Sequence, residues 1–154
     1  MPPTEPPAGT ILIIKRTFKA PREELFRAWT DPALLKQWFC PGDTYETPFA
    51  EADLHVGGAY RIGMKPKTKD IVHIASGTYQ EIVPPERLVF TWTLDEEGQG
   101  AETLVTLLFR DLGSSTELVL THERLPDATT RDSHTDGWKG CLANLEKLFP
   151  VSSQ

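Results

Sequence analysis

The sequence has 154 residues, of which 39% are hydrophobic and 25% are charged, as is ordinary for one globular domain. Its net charge of −6 argues against DNA or RNA as partners, because nucleic-acid phosphates select for lysine and arginine. No apolar run is long enough to cross a bilayer and no signal peptide begins the chain, so we expect a cytoplasmic protein that binds no membrane.

The two ends of the chain are predicted to lie outside the domain. Residues 1–9 contain four prolines and no large apolar side chain beyond Met1, so we expect a disordered tail there. A single domain is expected over residues 10–150, followed by a short tail at residues 151–154. No internal repeat and no second domain are evident.

The domain is predicted to begin with one strand and two short helices. Residues 10–20 start with the run Ile11-Leu12-Ile13-Ile14, which is typical of a strand. Pro21 ends that strand and suits the first turn of a helix, because its φ is already fixed near the helical value. Asp31 is expected to cap a second short helix that contains Trp38.

The middle of the chain is predicted to contain six consecutive strands. Their expected ranges are 44–53, 59–64, 71–83, 87–94, 102–111 and 116–123. The fourth of them alternates cleanly, with Leu88, Phe90 and Trp92 on one face and Val89, Thr91 and Thr93 on the other. Because short turns join the strands, we expect antiparallel neighbours, with polar residues such as Thr91 facing outward.

Residues 129–149 are predicted to form one long amphipathic helix. At about 100° per residue, its large side chains fall on a stripe about 120° wide, opposite the charged ones. The stripe contains His134, Trp138, Cys141, Leu142, Leu145, Leu148 and Phe149. We expect Thr129 and Asp132 to form a capping box at the start and Pro150 to end the helix. The stripe must be buried, so the helix is predicted to lie across the sheet.

This order of elements, β-α-α-(β)6-α, predicts an α+β fold with a curved antiparallel sheet of about seven strands around the C-terminal helix. Space tends to remain between a curled sheet and a single helix, and this space is the expected ligand site. The predicted ligand-binding residues point inward: Tyr60, Met64, Tyr79, Phe90, Trp92, Leu107, Leu120, His122 and Trp138. Gly137 and Gly140 each cost about 1 kcal/mol in a helix relative to alanine, so we expect close packing or room for a ligand there.

Three polar features have alternative interpretations. His122 should point inward, where it is either hydrogen-bonded in the core or acts on a ligand as a contact or an acid/base. The same alternatives apply to His134, which the intervening loop is expected to bring near His122. Asp53 precedes His55 and the pair Gly57-Gly58, a pattern more typical of a turn than of a catalytic carboxylate. No metal-ligand spacing, nucleophile elbow or phosphate-binding loop occurs, so no catalytic residue, metal or cofactor is predicted.

Several segments of the chain carry a resemblance to a known family. They are Ala20–Pro32, Gln37–Phe39, Asp53 with Gly57-Gly58, Gly77–Tyr79, Pro84–Trp92 and His134 with Gly137-Trp138. Together they resemble bacterial proteins similar to the C-terminal domain of the activator of heat-shock-protein-90 ATPase, within the START-like, birch-pollen-allergen-like (SRPBCC) superfamily. The resemblance covers about residues 10–149 and implies the helix-grip fold, in which an antiparallel sheet of about seven strands grips a long C-terminal helix. Members include carriers, cyclases and co-chaperone domains, so the fold does not choose a function.

We expect a small binding module that holds an apolar or aromatic small molecule in an internal cavity between sheet and helix. The first alternative is a cyclase- or hydrolase-type enzyme that uses the same cavity, with His122 or Asp53 as acid/base; we favour the absence of catalysis. The second is a stress-related, co-chaperone-like interaction domain, which predicts an exposed apolar patch and a chaperone partner. The identity of the ligand stays open, as does the formation of a homodimer.

Overall fold

The computed structural model describes residues 11–94 and 102–149, which form seven strands and three helices. The strands are β1 (Leu12–Phe18), β2 (Tyr45–Ala52), β3 (Ala59–Pro66), β4 (His73–Val83), β5 (Arg87–Leu94), β6 (Thr103–Asp111) and β7 (Thr116–Glu123). The helices are α1 (Arg22–Thr30), α2 (Pro32–Trp38) and α3 (Ala128–Glu146). The predicted α+β class and order of elements are confirmed. The tails predicted at residues 1–9 and 151–154 lie outside the described residues.

All seven strands belong to one antiparallel sheet with the order β1-β7-β6-β5-β4-β3-β2. Consecutive strands from β2 to β7 are neighbours, as their short connections require, and β1 pairs with β7 so that Ile14 lies opposite Leu120. The register shifts in two places, between Glu46 and Phe49 and between Tyr79 and Glu81. Such irregularities increase the local bend and twist, and the sheet curls into a half-barrel.

The inner face of the sheet is the hydrophobic core. In β7, Leu118, Leu120 and His122 are buried and alternate with half-buried residues, which confirms the predicted period of two. The outer face of β5 departs from the prediction, because Val89 is buried there and so is Thr91, which was expected to face outward. Its hydroxyl accepts the Thr78 N–H at 2.8 Å, and this close approach of β4 and β5 covers it.

The helix α3 lies across the core as predicted, but its cap differs. The N-cap is Asp127, whose carboxylate accepts the Thr130 N–H at 2.7 Å, rather than the expected Thr129–Asp132 box. A carboxylate at this position satisfies a free amide and complements the positive end of the helix dipole, which lowers the pKa of Asp127. The helix ends at Glu146, and Pro150, the predicted terminator, lies outside the described residues.

The buried face of α3 contains Trp138, Cys141, Leu142 and Leu145, which confirms the centre of the predicted stripe. Leu148 and Phe149 follow the helix and pack, partly buried, against the core. Within the described part of the chain, no helix is long and apolar enough to cross a membrane.

The short helices α1 and α2 fill another part of the sheet's inner face. Asp31 caps α2 as predicted, accepting the Ala33 N–H at 3.0 Å. The ring of Trp29 on α1 packs edge-to-face on Trp38 at 4.7 Å and on Phe39 at 5.9 Å between ring centroids. This aromatic cluster reaches α3, because Phe39 lies 5.7 Å from Trp138.

Candidate functional site

An open-mouthed cavity of about 350 Å³ lies between the sheet and α3. Strands β2 to β5 supply Tyr45, Met64, His73, Trp92 and Leu94, and the turn after α2 supplies Pro41. The helix supplies Ser133, His134, Asp136, Gly137, Trp138 and Cys141. Its walls therefore combine aromatic and aliphatic surface with a few polar groups, which is the usual character of a small-molecule site.

The structure divides the nine residues predicted to bind a ligand into three groups. Met64, Trp92 and Trp138 line the cavity. A separate void of only about 10 Å³ is lined by Tyr60, Tyr79 and Phe90. Leu107, Leu120 and His122 are completely buried in the core behind these groups. All nine side chains are buried, and the first group borders the larger of these two spaces.

The physical reason for this division is the packing of α1 and α2. Trp29, Leu35 and Phe39 border the small void opposite Tyr60 and Phe90 and occupy the space on that side of the sheet. Alternation along a strand shows which side chains face the core. It does not show which part of the inner face another helix covers, because that depends on contacts between distant segments.

Several lining residues were not predicted from the sequence. Ser133 lies outside the apolar stripe of α3, and Asp136 lies among the charged residues that were expected on the opposite, exposed side of the helix. Tyr45 lies at the start of an irregular strand. The sequence signal for this part of the lining was Gly137, because a glycine inside a helix is destabilising and therefore indicates a packing or functional role. A Cβ atom at Gly137 would meet no heavy atom within 4 Å, so the missing side chain leaves open space at the cavity.

The second helix glycine has the opposite role. A Cβ atom at Gly140 would lie 2.7 Å from the carbonyl carbon of Pro41, so only glycine lets α3 approach the turn after α2 so closely. One turn further along the helix, the Asn144 amide donates to the carbonyl oxygens of Cys40 at 3.0 Å and Gly42 at 2.9 Å. These contacts hold Pro41 in place as a cavity wall.

Behind the cavity, a buried hydrogen-bonded chain joins α3 to the sheet. The Trp138 indole N–H donates to His122 Nδ1 at 3.0 Å. Because Nδ1 accepts, we assign the proton of the neutral ring to Nε2, which lies 2.7 Å from Thr103 Oγ1. The Thr103 hydroxyl in turn donates to the Trp92 carbonyl at 3.0 Å. Every polar side-chain atom in this series of hydrogen bonds, from Trp138 to Thr103, has a partner, as burial requires.

The His122 ring is held in its neutral form. Burial and, to a smaller extent, the nearby His134 together lower its pKa to about 3. The two imidazole rings lie 5.0 Å apart at 86°, which confirms the expectation that the loop between them brings them together. With both nitrogens occupied, His122 is a core histidine that supports the cavity wall.

His134 supports the second tryptophan in the same way. Its Nδ1 donates to the Thr130 carbonyl at 3.0 Å, and its Nε2 accepts the Trp92 indole N–H at 3.1 Å. The Trp92 and Trp138 rings lie 5.0 Å apart at an angle of 47°. We call these four side chains, Trp92, His122, His134 and Trp138, the His–Trp cluster. Both of its indole N–H groups are occupied within the protein.

The third polar feature, Asp53 with His55, lies outside the cavity. Asp53 Oδ2 and His55 Nε2 are 3.0 Å apart on the exposed turn between β2 and β3. The Val56 carbonyl, and then Asp53, raise the pKa of His55. Gly57 has a φ of +89°, so the segment is the glycine-containing turn that its sequence suggested. Among the described residues, no three His, Cys, Asp or Glu side chains are grouped to hold a metal ion.

A curled seven-stranded sheet that grips a C-terminal helix defines a helix-grip protein of the START-like class. Within that class, the chain belongs to the family described as "Activator of Hsp90 ATPase homolog 1-like protein", whose sequence model matches residues 19–150. The resemblance inferred from the sequence is therefore confirmed.

Solved structures and a curated relative agree with this family. Protein CV1439 from Chromobacterium violaceum is 29% identical with a TM-score of 0.84, over 93% of this chain and 99% of that one. An HSP90 activator from Plasmodium falciparum is 25% identical with a TM-score of 0.72, over 91% of this chain and 96% of that one. The human activator of 90 kDa heat shock protein ATPase homolog 1 is 26% identical over 128 residues, which are 83% of this chain. The chain spans only 33% of the length of that human relative.

Proposed function

We propose that this protein is a binding module for an apolar or aromatic small molecule, which it holds between the sheet and α3. The observation that carries the proposal is the open cavity of about 350 Å³ with Trp92 and Trp138 in its walls. This volume lies near the lower end of the range of about 300–1,000 Å³ found for ligand sites. A compact ligand with one or two rings suits it better than a long-chain lipid.

The rigidity of the walls supports the proposal. The Trp138 and Trp92 rings are each anchored by a hydrogen bond to a histidine of the His–Trp cluster, at 3.0 Å and 3.1 Å. The turn that carries Pro41 is fixed to α3 by Asn144. A site whose side chains are already in place loses little conformational entropy when a ligand binds, so more of the apolar burial appears as affinity.

The enzymatic alternative has less support. A general acid or base must have a free ring nitrogen or oxygen that reaches the ligand. Both ring nitrogens of His122 are occupied and its side chain is 0% exposed. The Asp53–His55 pair is unsuitable for the opposite reason. It is exposed on a turn and does not line the cavity, so it cannot reach a ligand held there.

A steric plug tests the proposal. Gly137→Leu should place a side chain in the open space beside Gly137, whereas Lys139→Leu adds the same side chain on the exposed side of α3. We would titrate both variants and the unaltered protein with flavonoids, aromatic polyketides and fatty acids, following tryptophan fluorescence. We expect saturable binding of a compact aromatic ligand, weakened at least about tenfold by Gly137→Leu only. No saturable binding across the panel, or equal binding by the plugged variant, would contradict the proposal.

A second candidate is an interaction with an Hsp90-type chaperone, which family membership and the named relatives favour. The edge strand β1 presents apolar surface that such a contact can use. Ile13 is 60% exposed within it and Ile11, just before it, is 44% exposed. We expect Ile13→Lys to reduce capture of the protein by a purified Hsp90-type chaperone, with Lys15→Ala as the control. An absence of capture, or capture unaffected by Ile13→Lys, would reject this candidate.

A further inference from the structure

The charge of the cavity lining is uneven. Among the described residues that line it, Asp136 supplies the one carboxylate, and there is no lysine or arginine. Asp136 is exposed at the mouth, next to Gly137, and forms no salt bridge with any described residue. Its neighbour one turn earlier, Asp132, differs in both respects, because it pairs with Arg131 at 2.9 Å and does not line the cavity.

The hydrogen-bond donors of the lining are also few. A bound carboxylate needs N–H or O–H donors or a cationic side chain. The indole N–H groups of Trp92 and Trp138 are both committed to histidine nitrogens, so the tryptophans offer the cavity carbon ring surface only. The hydroxyl groups of Tyr45 and Ser133 remain in the lining, together with the imidazole rings of His73 and His134. Both ring nitrogens of His134 are already hydrogen-bonded within the protein. An anion entering the cavity therefore meets few donors and no lysine or arginine among the described lining residues, so most of the water it loses is not replaced by an equivalent partner.

A cation meets the opposite situation. The π faces of aromatic rings attract ammonium groups, and tryptophan does so most strongly. Trp92 and Trp138, with centroids 5.0 Å apart, place two such rings in one wall, and Tyr45 places a third in the lining. The carboxylate of Asp136 at the mouth adds an opposite charge where a ligand's polar end can remain close to water.

We propose that the cavity takes an amphipathic ligand, in which an apolar or aromatic body carries a protonated amine or a quaternary ammonium group, and that Asp136 faces this cation. This inference rests on the proposed binding function and specifies the chemical class of its ligand. The apolar body fills the space beside Gly137, and the ammonium group lies among the aromatic rings and Asp136.

Three probes that share one body test the inference. Naphthylmethylamine is cationic at pH 7, naphthylmethanol is neutral and naphthalenecarboxylate is anionic, so their affinities differ mainly through charge. Calorimetric titration should give the order cation, alcohol, anion, with about tenfold between the first and the last. Raising the salt concentration should narrow the difference, because the Asp136 carboxylate is exposed.

Two matched variants locate the effect. Asp136→Asn should bring the cation's affinity to within about twofold of the alcohol's, while Asp132→Asn, with the same charge change on the same helix, should keep the order. Equal affinities for all three probes, or the tightest binding by the anion, would overturn the inference and leave the binding function intact. An unchanged preference in Asp136→Asn would overturn the role of Asp136. Failure of every probe, and of the wider aromatic panel, would overturn the binding function itself.

Discussion

The indole N–H of Trp138 on α3 donates a hydrogen bond of 3.0 Å to Nδ1 of His122 on β7. The other ring nitrogen of His122, Nε2, is hydrogen-bonded to the Thr103 hydroxyl on β6. Polar contacts inside the core therefore join α3, β7 and β6. Buried polar networks of this kind are stabilising only when every member is satisfied. The cavity wall formed by Trp138 therefore depends on a neutral histidine behind it.

The pH dependence of stability should reveal that histidine. His122 titrates near 6.5 in an unfolded chain but, through burial and then His134, at about 3 in the folded protein. Between these values the unfolded state binds a proton that the folded state does not. The free energy of unfolding should therefore fall as the pH falls through this window, by up to about 1.4 kcal/mol per pH unit. Urea unfolding at several pH values between 7 and 5 measures this fall in the free energy of unfolding. Most carboxyl groups titrate below this range, so they contribute little to it.

Two variants separate His122 from the other histidines. His122→Gln should be less stable at neutral pH, but it should lose less stability on acidification. His55→Gln should keep the whole loss, because His55 is exposed and its pKa is raised, so its own contribution has the opposite sign. If the loss between pH 7 and pH 5 were equally steep in His122→Gln, the buried neutral imidazole would not be its cause.

The two tryptophans of the His–Trp cluster should differ in their contribution to stability. Trp138→Phe leaves Nδ1 of the completely buried His122 without a donor, which should cost about 1–3 kcal/mol beyond the loss of ring volume. Trp92→Phe makes the same change in volume, but its partner His134 is half-buried and borders the open cavity, where water can replace the bond. Urea midpoints should rank Trp138→Phe as the less stable variant. The reverse rank would be inconsistent with this account.

The two glycines of α3 should respond to alanine with opposite signs. Gly137→Ala should raise the free energy of unfolding by up to about 1 kcal/mol, because it removes backbone freedom in a helix without meeting any atom. Gly140→Ala should lower it by about 1–3 kcal/mol, since its Cβ would press on Pro41 at 2.7 Å. Thermal unfolding of the two variants side by side measures both effects. Changes of the same sign would show that the helix does not pack on this turn.

Asn144 should act as a donor to the turn after α2. Asn144→Ala removes the hydrogen bonds to Cys40 and Gly42, worth about 1 kcal/mol each. Asn144→Asp keeps the shape but directs a carboxylate at two carbonyl oxygens, so it should be the more destabilising change at pH 7. Urea unfolding of both variants decides the point, and an aspartate variant as stable as the alanine variant would argue against these contacts.

Sequence patterns predicted much of the fold and only part of the site. Alternation in β5 and β7, the stripe on α3 and the Asp31 cap are local signals, and they led to the observed architecture. The hydrogen bond between Trp92 and His134 joins residues 42 positions apart, and no local sequence pattern predicts it. The same holds for the cover that Trp29 gives to Tyr60 and for the burial of Thr91. The cavity is the space left after these long-range contacts form.

The proposal that a ligand binds between α3 and the sheet is tested most directly at the four tryptophan indole N–H resonances. Trp92 and Trp138 line the cavity, whereas the indole N–H of Trp38 donates to the Ala28 carbonyl in the core at 3.0 Å. Titration of ¹⁵N-labelled protein with naphthylmethylamine should shift the Trp92 and Trp138 resonances saturably and leave that of Trp38 in place. Two results would contradict the proposed binding site. One is that the Trp92 and Trp138 resonances stay unchanged while the ligand binds, and the other is that no aromatic probe binds.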